Sequence, residues 1–260
     1  MNRSQLNQEA VIYQDDDLFV MNKPCGIPVH GSRILAGQPQ TLLQMTRQYL
    51  GKMAFVVHRL DRPVSGVIAL TLNQKAQADL GRDFEHRQVQ KCYLAVVRGW
   101  TENSGLISHP LQSPRDERTS RSVAKAAVTR FQQISRVEIP LPVHPYPSSR
   151  YSLLALYPQT GRRHQLRRHM KHISHHIIGD TSYGRGEHNR FFQDNFNCSR
   201  LLLHAWTLDL KHPASGNKHR FHATLDPAFE SLIRVFGWAD ALEAWMSKHQ
   251  QCSPAHFSGQ

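Results

Sequence analysis

The sequence predicts an α+β fold: a mixed, largely antiparallel central sheet with flanking helices and loops. Short β-prone runs recur along the chain without the regular strand–helix–strand alternation of a parallel sheet. Between them lie segments with apolar residues at helical spacing, such as Ala76, Leu80 and Phe84. A chain of 260 residues, 40% of them hydrophobic, can also bury a substantial core, which excludes global disorder.

Val11–Tyr13 and Leu18–Met21 read as the arms of a hairpin, with Gln14 and three aspartates, Asp15 to Asp17, as its turn. A Gly/Pro/Ser-rich loop follows Pro24, and a helix is expected over Thr41–Leu50. Residues 64–72 read as a buried strand, after which Asn73 caps the helix that carries Ala76, Leu80 and Phe84. Gln90–Val97 returns to strand and Gly99 ends it. Residues 109–125, with four Lys/Arg against two acids, predict an exposed loop. Strands are expected around Ala127–Ile134 and Tyr151–Leu156, and Pro140, Pro142, Pro145 and Pro147 between them predict an extended connection. A short basic helix over Arg163–Ile173, strands at Leu201–Leu210 and His219–Leu225, and helices at Pro227–Phe236 and Ala239–Met246 complete the chain, with the last dozen residues expected to fray. With no internal repeat and no linker, residues 1–260 are expected to form one domain.

Lys plus Arg number 32 against 20 Asp plus Glu, a net charge of +12, so the expected partner is a polyanion, nucleic acid ahead of an anionic membrane. The aliphatic runs Val67–Leu70 and Leu201–Leu203 are too short to span a bilayer, and the first eight residues carry no apolar stretch that would act as a signal. Cys25, Cys92, Cys198 and Cys252 are scattered, which disfavours a zinc ribbon or disulfide scaffold and fits a cytoplasmic protein.

Three segments carry chemistry. In His58-Arg59-Leu60-Asp61-Arg62-Pro63-Val64-Ser65-Gly66, Pro63 disfavours helix at Arg62, so Asp61 sits in a loop between two cations that favour its ionised form. Such a carboxylate suits a nucleophile or base, and a surface Asp–Arg turn is the plainer alternative. From Gly161 to His172 there are five Lys/Arg and no acid, a cationic helix suited to phosphate contacts and able to supply an arginine to a buried aspartate. In the strand Gln90–Gly99, Lys91 and Tyr93 share a face, where a tyrosine can be core or can stack on an extruded base. His164, His169, His172, His175 and His176 raise a metal reading, but the cations crowding the same segment oppose it and no metal is expected.

Together these segments resemble the RluA family of pseudouridine synthases. The family's His-Arg-Leu-Asp-x-x-Thr-Ser-Gly loop matches residues 58–66, its Lys-x-Tyr strand Lys91-Cys92-Tyr93, and its Thr-Gly-Arg-x-His-Gln-Leu-Arg-x-His segment residues 160–169. Asn22-Lys23-Pro24-Cys25-Gly26 and Ile177-Ile178-Gly179-Asp180 match as well, all in the family's order. Val64 replaces the family's threonine, which removes a hydroxyl but not the carboxylate. The chain starts directly at the opening hairpin, so the small RNA-binding domain that precedes the catalytic domain in some relatives is expected to be absent.

The resemblance implies an enzyme that converts uridine to pseudouridine without cofactor or metal. Asp61 is implied as the catalytic carboxylate, Tyr93 as the residue stacked on the flipped uracil, and Arg167 as the partner that keeps Asp61 charged and oriented. Arg59 is implied to enter the stack where the base has left, and Arg62, Lys91, Arg162, Arg163, His164 and Arg168 to contact RNA. Residues 54–63, 146–151 and the Arg167-Arg168 and Phe236-Gly237-Trp238 stretches are closest to the branch that modifies tRNA at uridine 65. The expected partner is therefore tRNA, with no membrane and no obligate protein partner, and the chain a monomer. Competing readings are a ribosomal RNA synthase with the same site, a non-catalytic RNA-binding or ribosome-assembly protein, and a metal-dependent nuclease built on Asp15–Asp17.

Overall fold

The computed structural model describes residues 6–31, 40–112 and 123–250. The opening hairpin, β1 (Val11–Gln14) and β2 (Leu18–Lys23), forms where expected. Asp15 makes its turn, its carboxylate accepting from the backbone N–H groups of Asp17 and Leu18. Helix α1 (Leu42–Leu50) starts in a capping box between Thr41 and Gln44. A two-residue strand β3 (Phe55–Val56) precedes β4 (Ser65–Thr71), every residue of which is buried. Asn73 then caps α2 (Gln74–Glu85) by accepting from Ala76 N–H at 2.8 Å.

Strand β5 (Gln90–Arg98) is followed by β6 (Ser104–Ser108), for which the sequence gives no clear signal. The predicted loop 109–125 is bounded by a small ribbon, β7 (Leu111–Gln112) against β8 (Ala124–Lys125), a correction at both ends; residues 113–122 lie outside the described part. Strands β9 (Val128–Ile139) and β10 (Ser149–Pro158) follow. They are antiparallel neighbours with Ile139 opposite Ser149, so the proline-rich segment between them is a folded turn rather than an extended connection. Tyr146 N–H donates to Val143 O within it, and the Ser149 hydroxyl to Leu141 O. The long antiparallel pairing of the two strands fixes where the chain returns, and the prolines adapt to it.

The basic helix is α3 (Gln165–His172). Helix α4 (Gly186–Phe196) was not legible, because its polar sequence carries only an aromatic patch, Phe191 and Phe192, on its buried side. Strands β11 (Leu203–Lys211) and β12 (Lys218–His222) and helices α5 (Pro227–Val235) and α6 (Ala239–Gln250) close the fold. The expected fraying concerns a terminus that, past Gln250, lies outside the described residues.

Ten strands form one sheet in the order β1-β2-β4-β11-β5-β10-β9-β6, with β12 added to β11 and β3 to β4. Among the described residues only the β4–β11 pairing is parallel, so the sheet is mixed and largely antiparallel. That contact needs a glycine. Gly66 has φ +111°, and a Cβ there would stand 2.1 Å from Ala205 O. Alternation along the central strands splits the interior into two cores. Tyr93, Ala95 and Val97 of β5 face one, with Leu42 of α1, Leu80 of α2 and Met170 of α3. Cys92, Leu94 and Val96 face the other, with Phe192 of α4, Phe229 of α5 and Trp245 of α6.

Candidate active site

The Asp61 loop lies between β3 and β4 on the face that carries α3. Leu60 and Val64 are buried on either side of Asp61, and Val64 N–H donates to Asp61 O at 3.0 Å to close a turn. Val64 packs in the apolar core, so the position of the family's threonine is filled by a methyl contact. Lys23, fully buried, donates through Nζ to the carbonyls of Pro24, Ile27 and Arg62 at 2.8–3.2 Å. Gly26 N–H also donates to Arg62 O, and Arg62 Nε to Gly26 O. The Asn-Lys-Pro-x-Gly segment is thus the floor of the Asp61 loop. Burial pulls the Lys23 ammonium down to about 7, with the Arg200 charge acting the same way against Cys25 and Asp61.

The second segment docks α3 through polar residues. Gln165 accepts at Oε1 from the Thr160 hydroxyl and Arg162 N–H, and donates through Nε2 to Val128 O and the Thr129 hydroxyl. His169 bridges the Thr129 hydroxyl and His109 O. Thr160, Gln165 and His169 therefore pin the helix to β9, and Arg167, which takes no part in this docking, meets the Asp61 loop.

Arg167 is almost fully buried and stands between two carboxylates. Its Nε and Nη2 donate to the two oxygens of Asp180 at 2.7 Å each, and its Nη1 reaches Asp61 Oδ2 at 3.3 Å. Asp180 is also buried; the Asp61 side chain keeps 28% of its surface open. Burial by itself pushes the Asp180 carboxyl up, but the Arg167 bonds and the N–H groups of Ser182 and Tyr183 hold it below the usual carboxylate range. Gly179 makes this placement possible: a Cβ there would stand 1.8 Å from Arg200 O.

His164 opens α3 in the left-handed region, φ +53°, and puts Nε2 3.8 Å from Asp61 Oδ1. Its Nδ1 meets the Tyr183 hydroxyl at 3.0 Å, and the Tyr183 ring lies 5.0 Å from the Arg167 guanidinium carbon. Burial lowers the His164 imidazole against the pull of Asp61. Tyr93, in the middle of the sheet opposite Ala205 of β11, is pushed up first by burial and then by the charge of Asp61. The arrangement is a partly open carboxylate with one oxygen tied to a clamped guanidinium, near a half-buried tyrosine that feels its charge.

The sequence model of RNA pseudouridylate synthases matches residues 17–172, more than half of the chain and the whole of this cluster except Asp180 and Tyr183. The chain belongs to the RNA pseudouridylate synthase family. Relatives from Pectobacterium carotovorum, Vibrio cholerae and Haemophilus ducreyi, each named tRNA pseudouridine synthase C, are 41%, 37% and 40% identical over 92%, 89% and 88% of this chain. The chain spans 65% of the length of the first and 97% and 96% of the other two. Two human proteins, RNA Pseudouridylate Synthase Domain Containing 4 and 1, share the fold with TM-scores of 0.66 and 0.65 at 24% and 22% identity. They cover 88% and 91% of this chain, which in turn spans 93% and 96% of theirs.

In this site Asp61, His164 and Arg167 come together, and Tyr93 senses the same charge. Arg59 is exposed and meets His30, and Arg62 is exposed on the same loop. Arg162 donates to Ala126 O, Arg163 is exposed, and Arg168 donates to Gln112 O. Lys91 lies over the Phe84 ring of α2, and no bond joins it to Asp61 among the described residues. His58 stacks on the same ring and accepts from Ala69 N–H, which makes it part of the core. Asp180 ends a motif that carries no role for it in the sequence, and Tyr183 gives no signal there at all. The remaining histidines scatter: His172 stacks on His109, His175 meets Arg98 O, and His176 meets Tyr183 O. Asp15, Asp17 and His212 bring ligand atoms within 4.8 Å, but Asp15 is already engaged by Tyr13, His212 and two backbone N–H groups as a hairpin turn.

Proposed function

We propose that this chain isomerises uridine to pseudouridine in tRNA, at position 65 by its resemblance to that branch, with Asp61 as the catalytic carboxylate. The C1′–N1 bond breaks, the uracil turns, and C1′ bonds to C5; the C5 proton leaves and N1 gains one. Nothing is oxidised or reduced, so the reaction calls for neither cofactor nor metal. The observation that carries the reading is the Asp61 carboxylate, open on one side and held on the other by Arg167, itself fixed by Asp180. Tyr93 stacks on the extruded uracil and assists loss of the C5 proton. Arg59, exposed on the Asp61 loop, fills the place of the base and offsets an unstacking cost of a few kcal/mol. Arg62, Arg162, Arg163 and Arg168 hold the phosphates through salt-sensitive contacts. Lys91 serves this surface only through the charge it adds behind Phe84, and His164 acts on Asp61 more directly than on RNA.

The names of the bacterial relatives support tRNA as the substrate. A cytoplasmic monomer is the accompanying reading: Cys25, Cys92 and Cys198 are free thiols, and no helix among the described residues is long and apolar enough to cross a membrane. The test is tritium release from tRNA labelled at uridine C5. Asp61→Asn should bind tRNA within about twofold of wild type and release no tritium; normal release overturns the assignment. Pseudouridine mapping of tRNA and ribosomal RNA from a deletion strain separates the two substrates.

A further inference from the structure

We propose that the cavity between α3 and β7 is a phosphodiester subsite for the RNA strand that carries the target uridine. It measures about 280 Å³ and is lined by His109, Leu111, Arg168, Lys171, His172 and Tyr183. This deepens the proposed function and rests on it.

Among the described residues the lining contains two permanent cations and no carboxylate. Arg168, Lys171 and His172 stand at i, i+3 and i+4 of α3, so one helix face presents them together. The wall opposite is His109, whose ring stacks on His172 with centroids 3.7 Å apart and planes 15° from parallel. Arg168 is oriented by the bond from Nη1 to Gln112 O, which leaves donors of its fork for a ligand. His169, behind them, binds His109 O and holds that segment against the helix. A concave site of donors and imidazoles that excludes carboxylates fits a phosphate.

Tyr183 says which phosphate. It lines the cavity, its ring lies 6.0 Å from Lys171 Nζ and 5.0 Å from the Arg167 guanidinium, and its hydroxyl holds His164 beside Asp61. One aromatic ring thus separates the cavity from the reacting carboxylate. A nucleotide extruded toward Asp61 brings the backbone that flanks it to this wall.

Lys171 and His172 are exposed and make no contact with Asp61, so Lys171→Gln and His172→Gln test the site without touching the carboxylate. tRNA affinity is measured for wild type and variants between about 50 and 200 mM salt, with the single-turnover rate at saturating tRNA. Loss of one phosphate contact should lower the slope of log affinity against log salt by about 0.7–0.9. Affinity should fall several-fold and the saturating rate stay within twofold, while Lys171→Glu deepens the loss. An unchanged slope in Lys171→Gln overturns the proposal, and so does a lost saturating rate at unchanged affinity. Inorganic phosphate binding is titrated as the second probe: if wild type binds it more tightly than Lys171→Gln does and the variants still keep the wild-type slope, the cavity holds an adventitious ion only and the proposal fails. Should wild type isomerise no uridine while the slope still falls, the subsite stands and the enzymatic reading fails; the reverse result sinks the subsite alone.

Discussion

Arg167 and Asp180 form a buried, two-bond ion pair, 2.7 Å on each arm, and Asp61 meets only the third nitrogen of the same guanidinium. The carboxylate that is open to a substrate is therefore oriented by one that is not. Asp180 holds the guanidinium that Asp61 meets, and it stands 13 residues from Arg167, in a segment that the motif resemblance includes without giving Asp180 a role.

Asp180→Asn removes the charge that compensates a buried arginine. Breaking one partner of such a pair costs roughly 3–5 kcal/mol. The variant should unfold at lower urea and lose turnover together. Arg167→Lys separates the two effects: it keeps the charge but cannot bridge both carboxylates. It should stay folded by circular dichroism with its single-turnover rate down at least tenfold; a wild-type rate would show that the bridge does not matter.

His164 was expected at the RNA surface, yet its Nε2 faces Asp61 Oδ1 and its Nδ1 meets Tyr183. His164→Gln should lower the saturating single-turnover rate about tenfold and leave the salt dependence of tRNA binding unchanged. Tyr183→Phe, which frees the imidazole, should produce a smaller loss of the same kind. A reduced salt slope with a normal rate would return His164 to the RNA contacts.

Tyr93→Phe keeps the ring and removes the hydroxyl. If stacking dominates, tRNA affinity stays near wild type while tritium release slows; Tyr93→Ala should weaken both. Equal kinetics for wild type and Tyr93→Phe would assign the proton step elsewhere.

Acid should destabilise the fold through buried neutral histidines. His204 is fully buried, between the Ser65 hydroxyl and Ala223 O, and burial, with Arg200 and His222 acting the same way, brings it down to about 4; burial and Arg98 bring His188 to about 4 as well. An unfolded histidine titrates near 6.5, so below that pH the unfolded chain takes protons that the folded chain refuses. Stability is complete above about pH 6.5 and falls as pH drops toward 4, by up to about 1.4 kcal/mol per unit for each group. Urea titrations at pH 7.5 and 5 measure the fall, and His204→Gln should make it shallower. A pH-independent midpoint would contradict the burial assigned to both rings.

Gly179→Ala would drive a Cβ into Arg200 O and push the Asp180 turn away from Arg167. The melting temperature should drop by several degrees, and turnover should fall with it.

The features legible in the chain alone are local. The hairpin, the Asn73 cap, the face of α2 and the buried run of β4 are written in turn residues and apolar spacing, which act over a few positions. The motif resemblance implies roles for Asp61, Tyr93 and Arg167. Which of them meet is set by long-range packing. Asp61 and Arg167 lie 106 positions apart, and they touch because a parallel β4–β11 contact, open only to Gly66, and a glutamine-pinned α3 converge on one face of the sheet. Asp180, Tyr183 and the turn of His164 toward the carboxylate depend on that convergence. The folded proline segment is a separate tertiary outcome, since strand pairing over β9 and β10 overrode the local preference of its prolines. Spacing encodes which residues share a helix or strand face; the pairing of distant faces is set by burial and hydrogen bonding summed over the whole sheet.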